Sequence, residues 1–75
     1  MKRVTYTVVV EPAGSNYSAF VPDLPGCVAT GLTVEETVDH IREAIQFHLE
    51  GLLEDGQEPP PASASSVAVE AEIPG

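Results

Sequence analysis

A thiol, two imidazoles and twelve carboxylates are the groups in this 75-residue chain whose types invite catalytic or ligand chemistry. Cys27 is a nucleophile only beside a positioned base, and no spacing brings His40 or His48 to it. A small buried thiol at the start of a strand is the simpler reading. The two histidines stand eight residues apart, about two helical turns, whereas two imidazoles share a metal at a four-residue spacing. His48 falls beside Ile45 and Leu52 and reads as a packed histidine, while His40 is peripheral. No metal site and no cofactor are expected. Asp23, inside Pro22-Asp-Leu-Pro-Gly26, is the one acid singled out. Its carboxylate is expected to organise its own turn by accepting from nearby amides. The sharper reading makes Asp23, Leu24 and Pro25 a tip that contacts a partner, together with Tyr17 and Phe20. Those two aromatics face opposite sides of their strand, so one belongs to the core and the other to an interface.

The elements that carry these residues follow from punctuation and period. Val4, Tyr6, Val8 and Val10 alternate with Thr5, Thr7 and Val9, which predicts a first strand over 3–11. Pro12 to Asn16 is loop material, and a second antiparallel strand runs from Asn16 to Val21, where Pro22 ends it. In Pro25-Gly26 the proline presets the first central angle of a type II turn and glycine takes the left-handed second. Cys27 to Thr30 returns as the third strand. Thr33 caps a helix, with Glu36 three residues on expected to reach back to the amide of the cap. The helix spans 34–55, with Val34, Val38, Ile41, Ile45, Leu49 and Leu52 as the sheet-facing stripe and an acidic outer face. Gly56 closes it. On its flank lie His40, Ala44, Phe47 and Gly51, a small, partly apolar surface suited to another subunit or to a covering loop. Residues 56–66 are a Pro/Ser linker. Val67, Val69, Ala71 and Ile73 then alternate with Ala68, Glu70 and Glu72 as a last strand over 67–73. A right-handed crossover places that fourth strand parallel to and beside strand 1.

Composition bounds the function. The net charge of −9 comes from twelve acids against Lys2, Arg3 and Arg42, so nothing forms the basic patch that a phosphate backbone needs. A basic protein is the partner such a field suits. A 75-residue chain with no Trp, two Phe and two Tyr builds a small core, and self-association is one way to supply the missing burial. A lone cysteine excludes an internal disulfide and fits a cytoplasmic setting. No apolar run approaches the roughly 18–20 residues that span a bilayer, and the start of the chain lacks a signal-peptide stretch. A soluble protein without membrane contact is expected.

Together, Tyr17-Ser-Ala-Phe-Val-Pro-Asp-Leu-Pro-Gly-Cys27, Gly31-Leu-Thr-Val-Glu-Glu36, Glu43-Ala44-Ile45 and Gly56-Gln-Glu-Pro59 resemble the HicB-like antitoxins, and in particular their short stand-alone relatives of the UPF0150 type. The resemblance covers essentially the whole chain as one domain. It implies an α+β fold in the order β-β-β-α-β, partially ribonuclease H-like, with three antiparallel strands, a fourth parallel to strand 1 and the helix on one face. It also implies neutralisation of a small basic toxin of the HicA type, which binds double-stranded RNA and cuts messenger RNA, and assembly into homodimers or tetramers. Longer relatives carry a further DNA-binding segment that this pattern, ending at Gly75, does not include, so direct operator binding is not expected.

A ribonuclease H-like outline also raises metal-dependent RNA cleavage, which needs several carboxylates around two ions about 4 Å apart. The first strand reads Val4-Thr-Tyr-Thr-Val-Val-Val10, with Glu11 only at its end, and the helix acids point away from the sheet. The chain is therefore read as a protein-binding module and not an enzyme. The alternatives are an oligomeric domain without a toxin and, third, a degenerate nuclease.

Overall fold

The computed structural model describes residues 2–75. Its elements are β1 (Val9–Ala13), β2 (Asn16–Phe20), β3 (Val28–Gly31) and α1 (Val34–Glu54). The strands form an antiparallel meander in the order β1-β2-β3, with Val9 opposite Phe20 and Phe20 opposite Val28. One sheet face carries Val10, Ala19 and Ala29, and the helix covers it. The core is Ala19, Val21, Leu24, Cys27 and Ile41, with Tyr6, Val8, Val10, Ile45 and Leu49 packed around it.

The helix is built as its capping residues dictate. The Thr33 hydroxyl accepts from the Glu36 amide at 3.0 Å. The Glu36 carboxylate, however, accepts from the Leu32 amide at 2.8 Å and not from that of Thr33, so the reciprocal bond falls one residue earlier than the sequence predicts. At the other end Gly56 N–H donates to Leu53 C=O and Gln57 N–H to Leu52 C=O, the paired bonds of a Schellman closure. Thr37 is fully buried, and its hydroxyl is satisfied by donating to Thr33 C=O at 2.7 Å. It packs so closely on Gly31 that a Cβ there would lie 2.5 Å from Thr37 Oγ1 and 2.7 Å from its backbone nitrogen. This contact sets how near the helix comes to β3.

Along the predicted stripe only Ile41 is fully buried; Val38, Ile45, Leu49 and Leu52 are half-buried and Val34 is exposed. The cause is a mismatch of length. Twenty-one helical residues extend about 31 Å, and strands of four and five residues cannot cover that span.

Two predicted strands differ. The first begins its ladder at Val9, not near Arg3, because β2 turns away at Pro22 and its pairing with β1 runs out at Phe20. The fourth strand, expected over 67–73 and parallel to β1, does not form: Val67, Val69 and Ile73 are 79%, 82% and 94% exposed. Residues 60–64 are fastened to the body, since Tyr6 Oη donates to Pro60 C=O at 2.7 Å and Thr7 Oγ1 to Ala64 C=O at 2.8 Å. Beyond Ala64, among the described residues, no hydrogen bond returns the chain to the body. The radius of gyration is accordingly 14.8 Å, against about 11 Å for a compact chain of this length.

Candidate partner-binding surface

The segment between β2 and β3 is two successive turns. Leu24 N–H donates to Val21 C=O at 3.0 Å, and Cys27 N–H donates to Leu24 C=O at 3.1 Å across Pro25-Gly26. Gly26 has φ +83°, the left-handed angle that the second turn demands. Leu24, expected at an exposed tip, is fully buried. It is driven inward because the tandem turn folds its side chain under the helix side of the sheet, and it takes no part in any surface. Pro22 and Pro25 remain outside.

Asp23 does something the local sequence does not signal. Its carboxylate accepts from Ser63 N–H at 3.0 Å, Ser63 Oγ at 2.9 Å and Ala64 N–H at 3.0 Å. It clasps the linker forty residues away instead of ordering its own turn. The bonds from Ala64 and Ser63 hold its carboxyl below the usual range, because each donor favours the charged form. Tyr6 lies alongside, and burial, then the Asp23 charge, raise its phenol above the ordinary value.

On the sheet face away from the helix, register places Val9, Phe20 and Val28 in one row across all three strands. Phe20 is 40% and Val28 64% exposed. The next row is Glu11, Ser18 and Thr30. Tyr17, opposite Pro12 and Gly31, is on the helix side and half-buried, so of the two aromatics Phe20 is the outward one. The valines of this row are hidden in the sequence because their alignment depends on two turns at once.

The helix flank separates into two parts. Ala44, Phe47 and Gly51 line an open groove of about 460 Å³ against Cys27 and Val28, with the Phe47 ring 79% exposed. His40 lies apart from it and donates from Nδ1 to Thr30 C=O at 2.6 Å. That bond, then Glu36, Glu43 and Asp39, raises its pKa above the ordinary 6.5. His48 lines the same groove as Cys27, a proximity no spacing reveals. Burial nevertheless raises the Cys27 thiol pKa, which keeps it protonated and a poor nucleophile. Among the described residues no group of three or more His, Cys, Asp or Glu is arranged to hold a metal, and no helix is long and apolar enough to cross a membrane. On the outer helix face Arg42 bonds Asp39 at 2.8 Å.

The comparisons converge. A Haemophilus phage HP1 protein of the rep-hol intergenic region is 44% identical over 55 residues, covering 73% of this chain but 41% of the phage protein. A Thermoplasma acidophilum UPF0150 protein is 34% identical over 67 residues, which is 88% of this chain and 97% of that one. Among solved structures, the Thermus thermophilus protein TTHA0281 superposes with a TM-score of 0.69 at 30% identity, over 85% of this chain and 82% of that one. A chain of a HicA3 and HicB3 toxin-antitoxin complex shares the fold, with a TM-score of 0.64 at 24% identity over 81% and 70% of the two chains. The sequence profile of the HicB-like antitoxin of bacterial toxin-antitoxin systems matches residues 6–74, and the chain belongs to that family.

Proposed function

We propose that this chain is an antitoxin-like protein-binding module. It neutralises a small basic RNA-cleaving toxin of the HicA type by covering the surface that the toxin uses on RNA. It acts in the cytoplasm and catalyses nothing itself. The observation that carries this reading is the Val9–Phe20–Val28 row on the sheet face away from the helix, with Phe20 and Val28 exposed, on a body with a net charge of −9. An apolar strip inside an acidic field offers a cationic protein both an anchor and a steering force. Family membership supports it, as does the shared fold with a chain of a toxin-antitoxin complex. Phe20 is the anchor, and Pro25 and the outer edge of the Asp23 turn flank it. In the same reading the sheet and helix are a partial ribonuclease H-like frame whose fourth strand, parallel to β1, is added on assembly.

Co-expression with a small Lys/Arg-rich protein of the HicA type tests this. The two are expected to co-purify through a high-salt wash, and Phe20→Asp is expected to abolish co-purification while leaving the helical circular dichroism unchanged. Failure of the wild-type pair to associate overturns the antitoxin reading in favour of an oligomeric domain without a toxin.

A further inference from the structure

Residues 67–73 have the alternation of a strand with one apolar side, and that side meets only solvent. Val67, Val69 and Ile73 are each at least 79% exposed, while Glu70 and Glu72 occupy the other side. An unburied strand pattern of this kind is a segment awaiting a sheet edge.

A matching edge exists in the same fold. β1 is an edge strand of the sheet, so its free side has no strand partner among the described residues. Residues 4–8, which lead into it, have no strand partner among the described residues. Between Val4, Tyr6 and Val8 on one side and Val38, Arg42 and Ile45 of the helix on the other lies a groove of about 310 Å³. It is lined by the segment that leads into the edge strand and by the apolar helix stripe, the neighbours a fourth strand would pack against.

The segment does not reach this groove in its own chain. Ala64 is held at Thr7 and Asp23, and beyond it Val67, Val69 and Ile73 stay exposed instead of entering the groove. The molecule accordingly extends to 54 Å.

Charge selects the occupant. The only three cations of the chain are Lys2, Arg3 and Arg42; Arg42 lines the groove, and Lys2 and Arg3 open the edge that bounds it. The incoming strand carries Glu70 and Glu72. We propose that the groove receives residues 67–73 of a second copy of this chain, and that the exchange is reciprocal and closes a two-fold dimer. The apolar side chains of each segment enter the partner's groove and its acids meet the partner's basic edge. The proposal is independent of any toxin.

The test uses the full chain. Light scattering on the wild type is expected to give twice the chain mass, and a mixed isotope-labelled sample to give intermolecular contacts from Val69 and Ile73 methyls to Val38 and Ile45 methyls. Val69→Asp alters a side chain that touches nothing in the single chain, so it folds normally and is expected to be monomeric. Phe47→Ser is expected to remain dimeric. A monomeric wild type, a dimer untouched by Val69→Asp, or contacts confined to one chain would each overturn the exchange.

Discussion

Asp23 holds two otherwise separate parts of the chain with one carboxylate. Three bonds from Ser63 and Ala64 converge on it, and their preference for the charged form lowers its pKa. Because the folded value lies below the unfolded one, the clasp contributes at neutral pH and is lost as pH falls through the depressed value. Asp23→Asn is expected to raise the exchange rates of the Ser63 and Ala64 amides while those of core strands stay unchanged, and acid is expected to do the same to the wild type. Equal exchange in variant and wild type would contradict the clasp. His40 has the opposite sign. Its raised pKa means that its bond to Thr30 is strongest below the unfolded imidazole value and weakens as pH rises through the folded one. An NMR titration of its ring is expected to give a midpoint above 6.5.

At the scale of elements, the helix start and its seat on β3 are the positions most sensitive to single atoms. Thr33→Ala removes the cap of Glu36 and is expected to cost about 1 kcal/mol. Gly31→Ala drives a methyl into Thr37, backbone included, and is expected to cost about 1–3 kcal/mol because the helix must move as a unit. Thermal unfolding of the two variants measures both. The elements that were legible in the sequence are those fixed by local chemistry: the Pro25-Gly26 turn, the Thr33 cap and the close at Gly56. What escaped depends on partners far along the chain. Leu24 looks like a loop tip until the tandem turn carries it into the core, and Asp23 looks like a turn former until Ser63 arrives. The last strand reads as a pattern with one apolar side, yet alternation specifies a face and not whose edge will cover it.

For the molecule as a whole, a small core and a row of exposed apolar residues point the same way. The five apolar side chains buried among the described residues stabilise a single chain weakly, since a domain of this size hides only roughly 60–65% of its unfolded surface. In the proposed strand exchange association contributes to folding, so the apparent melting temperature is expected to rise with protein concentration. A melting temperature independent of concentration would contradict that coupling. In the proposed complex acidity acts at longer range, through the rate at which a cationic partner arrives. Added salt is accordingly expected to slow association with the toxin more than it speeds dissociation. In the proposed function this anionic surface, anchored at Phe20, covers the RNA-cutting surface of a basic toxin. The most direct measurement is cleavage of a messenger RNA by a purified basic toxin of the HicA type, titrated with this chain and with Phe20→Asp. Cleavage is predicted to stop at a fixed stoichiometry with the wild type and to continue with the variant; cleavage that continues at saturating wild-type protein would contradict the account.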